Sequence, residues 1–539
     1  MPVPKVGHNR VAPRALALVA ALVLASFSLS TVPAESPVLA GSMVSAGSTV
    51  VTGSNIVGDR HELCPVFAPS DVAANDRFGS SIGVDGDVAA IGAWLADPQG
   101  VADAGAVYVY EYGPNRGWNE TAKLTAPVPE TGAGFGFSVD VDGDILAVGA
   151  HGEAATIDGG PVTGAGAVHV FERQGDGSWI GTGRLALDRP GVDDMFGHSL
   201  EVDAATATIV AGAPGSDVTR PGAEDGPLVE DGGSAQVFVR DGTGTWVRQA
   251  ELVDPDAQVN DRAGNDVAIS GDRVVVGQHL DDRAGGRNVS NAGGALVYRR
   301  TGSTWSEPVE LSGSAARARD RAGISVGIDG DVAAMAGWSQ NAGERAVAWV
   351  FEHDGDRWVE QQRIEPGDDG AGGPTSGTHF GRHIELSDGV LAIGASLDDR
   401  FAPDGGAVHY YTGSDGFWLE RAKIGADGSG PEALAGIALA VSDRWIAVGA
   451  ERAALGAPNS GAACLARRTD VLDGSRAPDR RLTATAPVKG LASSSGFFDR
   501  SPIVGAVAAV VAILALVALG AWSARLIGQR RRRRAGIDL

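Results

Sequence analysis

The chain has 539 residues, of which 78 are glycine and only 2 are cysteine. So few cysteines exclude a disulfide-rich scaffold and a cysteine-ligated zinc module, and the many glycines favour turns between short strands over long helices. The formal net charge of −23 disfavours nucleic acid as a partner and favours cations or basic partners, although such a charge also serves solubility alone.

Residues 1–34 have the pattern of a signal peptide. A basic start is followed by an apolar run over residues 15–29, and small residues before and at Ala34 suit cleavage. An N-terminal membrane anchor is the alternative. The segment 35–60 is then expected to be a flexible N-terminal extension.

A repeat of about 60 residues occupies most of the chain. One copy opens with Phe78-Gly79, turns at Asp85-Gly86 and closes with a Gly-Ala pair. The seven copies open at Phe78, Phe135, Phe196, Ala263, Ala322, Phe380 and Ala435. Self-similarity at this period predicts an array of structural repeats.

Each copy predicts four strands, A to D. Strand A follows Phe-Gly, strand B is the apolar run that ends in Gly-Ala, and strand C is a Gly-Ala-Val-type run. A tryptophan opens strand D at Trp118, Trp179, Trp246, Trp305, Trp358 and Trp418. One recurring position indicates packing, and four strands per copy without helices predict an all-β, seven-bladed β-propeller of four-stranded antiparallel blades over residues 61–468. A linear β-solenoid is the alternative.

The ends of the repeat array suggest how the ring closes. Residues 62–68 resemble a strand D without a copy of its own, whereas the seventh copy lacks one. We therefore predict that residues 62–68 supply the outer strand of blade seven, with Pro65 tolerated at the sheet edge. This places Cys64 beside Cys464 and predicts a disulfide, since export favours oxidation. Two free thiols are the alternative.

The recurring Phe-Gly and Gly-Ala-Pro phrases, as at Phe196-Gly197 and residues 212–214, resemble FG-GAP repeats. The resemblance implies the seven-bladed propeller found at the N-terminus of integrin α chains and in bacterial surface proteins. It also implies a possible Ca²⁺ site, because integrin-like propellers often hold calcium between strands A and B. Here that connection shrinks to Asp85-Gly86-Asp87, whose two carboxylates cannot supply six or more oxygen ligands. We therefore expect no cofactor and no metal site.

Long connections between strands B and C share one face of the predicted propeller, which marks that face as the candidate ligand surface. Aromatic or imidazole side chains stand where these loops begin, and acidic side chains follow. The candidate ligand-binding residues are Trp94, His151, His279, Asp281, Asp282, Trp338, Asp398 and Asp399. Ordinary solvated loops are the alternative, and no catalytic residue is predicted.

The C-terminal part predicts a membrane anchor. A stalk over residues 469–501 precedes an uncharged span within 502–524, which is long enough to cross a bilayer. The arginine-rich tail 525–539 then stays in the cytoplasm, and the propeller lies outside the cell. Removal of the span by cell-wall sorting is the alternative.

Together these features predict a single-pass, cell-surface binding or adhesion module that is not an enzyme. Its partner is expected to be an extracellular protein or glycan, with the membrane contacted by the C-terminal helix and no nucleic acid bound. An extracellular hydrolase or lyase built on the propeller, and a structural subunit of a membrane surface complex, are the alternatives.

Overall fold

The computed structural model describes residues 61–473, except 224–225, 285, 339–345, 367–377 and 415. These residues form seven radial β-sheets, of which six have the strand order A-B-C-D that the repeat predicts and the seventh has strands A, B and C. The first strands of successive sheets contact one another, and the first strand of the seventh sheet contacts that of the first. The sheets therefore close into a seven-bladed β-propeller around a central channel.

The strands are numbered in chain order. A leading strand, β1 (His61–Pro65), precedes the blades. Blade one comprises β2 (Ile82–Asp85), β3 (Val88–Ala93), β4 (Ala106–Gly113) and β5 (Gly117–Leu124), with a 3-10 turn at Pro98–Gly100. Blade two comprises β6 (Ser138–Asp142), β7 (Ile145–Ala150), the loop hairpin β8 (Ala155–Ile157) and β9 (Gly160–Val162), then β10 (Ala167–Arg173) and β11 (Trp179–Leu185). Blade three comprises β12 (Leu200–Asp203), β13 (Thr208–Ala213), β14 (Ser234–Arg240) and β15 (Trp246–Leu252).

The remaining blades show more variation at their outer edges. Blade four comprises β16 (Val267–Ser270), β17 (Arg273–Gln278), the loop hairpin β18 (Arg283–Ala284) and β19 (Arg287–Asn288), then β20 (Gly294–Thr301) and an outer strand divided into β21 (Thr304–Trp305) and β22 (Val309–Leu311). Blade five comprises β23 (Ser325–Asp329), β24 (Val332–Gly337), β25 (Val347–His353) and β26 (Trp358–Ile364). Blade six comprises β27 (Phe380–Ser387), β28 (Val390–Ala395), β29 (Ala407–Ser414) and β30 (Phe417–Asp427). Blade seven comprises β31 (Ala438–Val441), β32 (Trp445–Ala450) and β33 (Ala462–Arg467), followed by the helix α1 (Arg468–Asp473).

The Phe-Gly and Gly-Ala phrases join neighbouring blades. Phe135 is fully buried, and the N–H of Gly136 donates to the Gly149 carbonyl at 3.0 Å. Gly136 has φ 90°, and its carbonyl lies against Gly92 of the preceding blade. A Cβ on Gly92 would stand 2.1 Å from that oxygen, so any larger residue would force the two blades apart.

The aspartates of the A–B turns also connect the blades. The Asp85 carboxylate accepts a hydrogen bond from the N–H of Gly143 in the next blade at 3.0 Å. Asp142 accepts from the N–H of Ala204 at 2.7 Å in the same way. The acidic residue of the turn is thus explained by a backbone contact between blades.

The tryptophans that open the outer strands are packed, as their recurrence predicts. Trp118 is buried, and its ring lies 4.9 Å from that of Trp445 in blade seven and 5.6 Å from that of Tyr112. Large apolar rings between blades bury much surface and stabilise the ring of sheets.

The prediction that residues 62–68 form the outer strand of blade seven is wrong for most of the segment. Strand β1 pairs in parallel with β30, as a fifth strand of blade six. Within this segment, only the backbone of Phe67 hydrogen-bonds to blade seven, exchanging two bonds with Ala463 at 2.8 and 3.0 Å. The 11-residue β30 offers a long free edge, whereas Pro65 has no N–H to continue a ladder.

The predicted disulfide is confirmed. Cys64 and Cys464 are bonded, their Cα atoms lie 5.8 Å apart, and both residues are buried. The bond spans 400 residues of sequence and joins β1 on blade six to β33 on blade seven.

Several predicted segments lie outside the described residues: the signal peptide 1–34, the extension 35–60, nearly all of the stalk 469–501, the span 502–524 and the tail 525–539. Within the described part of the chain, no helix has the length and apolar character needed to cross a bilayer.

Candidate ligand-binding site at the channel mouth

The first strands of all seven blades surround a central cavity of about 400 Å³. At one end, the first strands begin and the second strands end, so the long B–C loops open on this side. We call this end the channel mouth, and the opposite part of the cavity the channel floor.

Three positions of the repeat meet at the channel mouth. The residues that directly follow strand B are Trp94, His151, Pro214, His279, Trp338, Ser396 and Glu451. The residues just after Phe-Gly are Ser80, Phe137, His198, Asn265, Ile324, Arg382 and Ile437, all of which line the cavity. The residues just before Phe-Gly are Arg77, Gly134, Met195, Arg262, Arg321, His379 and Leu434, and all have positive φ.

The predicted aromatic residues lie at this mouth in two groups. The Trp94 ring centroid is 5.4 Å from Phe137 and 6.0 Å from His151, and Phe137 lies 3.9 Å from His151. On the other side, the Trp338 ring lies 4.4 Å from that of His379. The structure therefore brings Trp94 and His151 together and holds Trp338 apart from them.

The mouth histidines are uncharged at neutral pH. Burial lowers the pKa of His151 and of His198 to about 4, and the pKa of His279 to about 3. His198 Nδ1 lies 3.0 Å from the Asn265 carbonyl, whereas the buried Nδ1 atoms of His151 and His279 have no hydrogen-bond partner among the described residues.

The guanidinium groups at the mouth differ in their partners. Arg77 forms an ion pair with Glu451 at 2.8 Å, and Arg262 lies 3.8 Å from the Asp231 carboxylate. In the part of the chain that the structure describes, the side chains of Arg321 and Arg382 form neither an ion pair nor a hydrogen bond. Burial lowers the pKa of both groups from the ordinary arginine value.

The predicted acidic residues stabilise their own loops. Asp282 accepts a hydrogen bond from the N–H of Asn291 at 2.8 Å, and Asp399 accepts one from the N–H of Asp404 at 2.7 Å. These bonds close the B–C loops of blades four and six.

Asp281 and Asp398 are buried deeper in the same two loops. The Asp281 carboxylate accepts from the Gln278 amide at 2.9 Å and from Arg283 Nε at 3.1 Å. Burial raises its pKa to about 6, against the opposing effect of Arg283. Asp398 accepts from the N–H of Arg400 at 2.8 Å, and its pKa is lowered because His409 and Arg400 outweigh its burial. Neither carboxylate lines the cavity.

The channel floor is acidic. Asp140 accepts from the N–H of Val202 at 2.8 Å, and Glu201 accepts from the N–H of Ile269 at 2.6 Å. Glu385 receives no hydrogen bond from the described residues, and burial beside other carboxylates raises its pKa to about 8. Most floor carboxylates therefore hold the next strand in place, and Glu385 stays protonated at neutral pH.

Asp266 lies between mouth and floor, directly before the first strand of blade four. Its carboxylate accepts from Ser325 Oγ at 2.8 Å and from the N–H of Val326 at 2.9 Å. Burial raises its pKa to about 6, although the nearby Arg382 opposes this effect.

Sequence reasoning did not identify four residues of the mouth: Phe137, His198, Arg321 and Arg382. Their signal is present in the sequence, since each stands at a fixed offset from Phe-Gly or from its Ala-Gly equivalent. Within the described residues, no group of three or more His, Cys, Asp and Glu side chains is arranged to hold a metal ion.

Comparison with known protein families agrees with the repeat. The FG-GAP repeat family matches residues 66–110, 118–171 and 246–298. The propeller carries FG-GAP repeats. No curated protein matches the chain. A crystal structure of a Bacteroides uniformis protein provisionally named a 6-phosphogluconolactonase is similar at 11% sequence identity and a TM-score of 0.42, over 65% of this chain and 86% of that one. Nothing about activity follows from so distant a similarity.

Proposed function

We propose that the protein is a non-enzymatic binding or adhesion module, displayed on the cell surface, whose FG-GAP propeller contacts an extracellular protein or glycan. One observation carries the proposal: the channel mouth combines open aromatic rings with a cation that has no ion pair among the described residues. Trp94, Phe137 and Arg382 all line the open cavity. Such groups reduce stability unless a ligand uses them.

The display on the membrane rests on the sequence. The uncharged span within residues 502–524 and the arginines that follow it favour a single crossing with the propeller outside. Protease added to intact cells should then remove the propeller and leave the tail 525–539 inside. Protection of the propeller under these conditions would contradict this orientation.

The binding surface can be tested with the full-length chain on cells. We expect Trp94→Ala and Trp338→Ala each to reduce the capture of labelled glycans or extracellular proteins on arrays by about fivefold or more, since an aromatic anchor contributes one or more kcal/mol. The control is Trp305→Ala, which removes a half-buried tryptophan of an outer strand. An equal loss for all three variants would point to general destabilisation and contradict a binding role for the mouth.

An extracellular hydrolase is the second candidate, and one observation favours it. Glu385 is a protonated carboxyl group in a cavity that also contains Glu201, and such a group can act as a general acid. Release of reducing ends from a polysaccharide, abolished by Glu385→Gln, would establish this function in place of simple binding.

A further inference from the structure

We propose that the channel mouth recognises an anionic carbohydrate, a uronate-type sugar whose carboxylate binds Arg382, with the charge of Arg321 nearby, while its ring contacts Trp94 and Phe137. This inference rests on the proposed function and names the ligand class of that same surface. It differs from the expectation drawn from net charge, which favours cations.

The charge of the mouth is opposite to that of the whole chain. Four guanidinium groups stand at or beside the mouth, and the one carboxylate among its three rows of residues is Glu451, which is already paired with Arg77. Arg262 has Asp231 nearby. Arg321 and Arg382 remain, so the unpaired charges of these three rows are positive, whereas the other carboxyl groups of the cavity lie further along the first strands.

The two free arginines lie in a setting where a carboxylate would gain most. Burial lowers the pKa of both groups, and for Arg382 it outweighs the opposing charges of Glu451 and Asp266, neither of which forms an ion pair with it in the described structure. Leaving a cation in this state destabilises the fold, and a planar carboxylate can accept two parallel hydrogen bonds from a guanidinium. An anionic ligand would therefore supply the contact that the protein lacks.

Other polar groups that line the cavity suit a ligand rich in oxygen. Ser80 and Asn265 stand just after Phe-Gly or its Ala-Gly equivalent, and both line the cavity. Hydroxyl and amide side chains donate and accept hydrogen bonds, as sugar hydroxyl groups do.

The rings favour a carbohydrate over an acidic peptide. Trp94 and Phe137 both line the cavity with centroids 5.4 Å apart, and their electron-rich faces attract the weakly positive C–H groups of a sugar ring. A cavity of about 400 Å³ can hold one sugar residue at the end of an oligosaccharide.

The channel floor sets how deep the acidic group can enter. Asp266 and Glu451 both act on Arg382, and Glu201 lies below in the same cavity. Arg382 sets the depth at which a ligand carboxylate is held, because no other Arg or Lys of the described residues lines the cavity and the floor offers only carboxyl groups. The neutral part of the sugar then occupies the remaining space beside Trp94.

The test measures binding of oligogalacturonate to the full-length chain in detergent by calorimetry. Its methyl ester, which has the same rings without the charge, is the matched probe. We expect oligogalacturonate to bind, and the ester to bind at least about tenfold more weakly, because a charge-assisted pair is lost.

Variants then assign the contact. Arg382→Gln should weaken oligogalacturonate binding at least about tenfold, and Arg321→Gln severalfold. Arg382→Lys should lie between, because it keeps the charge but loses the two parallel bonds. The control Arg116→Gln removes an equal charge from an exposed turn between strands C and D, and should change the affinity by less than about twofold. Thermal unfolding of each variant checks that it is folded.

Three outcomes would overturn the inference: equal affinity for acid and ester, affinity unaffected by Arg382→Gln, or no oligogalacturonate binding at millimolar concentration. Displacement of the sugar by a polyglutamate peptide of higher affinity would assign the site to acidic peptides instead. Loss of array binding in Trp94→Ala alongside an unaffected Arg382→Gln would contradict this inference while leaving the proposed function intact.

Discussion

The channel mouth and the channel floor lie on the same seven first strands, only a few residues apart, yet their charged groups have different partners. At the floor, Asp140 and Glu201 each accept a backbone N–H from the neighbouring blade. At the mouth, Arg382 and Arg321 have no such contact in the described structure. The difference separates charges that hold the blades together from charges that are left available to a ligand.

The difference between channel mouth and channel floor is tested most strongly at Asp266, which joins blades four and five. Asp266→Ala would leave the Val326 N–H and the Ser325 hydroxyl without their acceptor. We expect a loss of about 2–3 kcal/mol in the free energy of unfolding, measured by chemical denaturation. Asp266→Asn retains one acceptor oxygen and should lose less than half as much. Equal losses for both variants would argue that the charge matters more than the hydrogen bonds.

Glu385 is the floor carboxyl group that receives no hydrogen bond from the described residues. The pH dependence of the free energy of unfolding tests its state. Its pKa is about 8 in the folded protein and close to 4.5 in the unfolded chain, so the folded state holds a proton that the unfolded state releases. Stability therefore falls as pH rises from about 4.5 to 8. Glu385→Gln should raise the free energy of unfolding at pH 8 by on the order of 2 kcal/mol, with no gain near pH 4.5. A gain of the same size at both pH values would contradict this assignment.

His151 gives the corresponding test at the mouth, with the opposite sign. Its pKa is about 4 in the fold, below the ordinary 6.5, so the unfolded chain binds a proton first as pH falls. Stability contributed by this group is lost between pH 6.5 and 4. His151→Phe should reduce the acid-induced loss in the free energy of unfolding by about 1 kcal/mol at pH 4.5 and have little effect at pH 7. Thermal unfolding across this range measures the difference, and an unchanged slope would show that His151 titrates normally.

The smallest effect is expected for Arg382 itself in the absence of ligand. Because its guanidinium has no protein partner in the described structure, Arg382→Gln should change the free energy of unfolding by less than about 1 kcal/mol, in the stabilising direction. A clear loss of stability would mean that Arg382 holds the blades together as Asp266 does, and would remove the distinction between mouth and floor.

The fold could be predicted from the sequence because each repeat position has the same packing role in every blade. Phe135, Gly136 and Gly92 recur where the contact between blades allows little else, so the blade count follows from their spacing. The closure of the ring between its first and last blades was predicted only in part. The pattern around Cys64 indicated an outer strand and a disulfide, but not that the free edge of β30 would pair with β1 before blade seven could.

The site was harder to predict, because the meaning of a side chain depends on its neighbours in other blades. Trp94 and His151 were identified from the start of the long loops. Arg382 was not, since nothing in its own repeat shows that it lacks a counter-ion. The sequence also predicted Asp282 and Asp399 as ligand contacts. Their hydrogen bonds from the N–H groups of Asn291 and Asp404 could not be inferred from composition.

The disulfide between Cys64 and Cys464 also has a mechanical consequence. The two cysteines lie close to the two ends of the described propeller, and the bond spans the 400 residues between them. Tension applied through both ends would pass across this covalent bond and bypass the blades. The propeller could then bear a pulling force without unwinding, whereas its reduced form would begin to peel at β1.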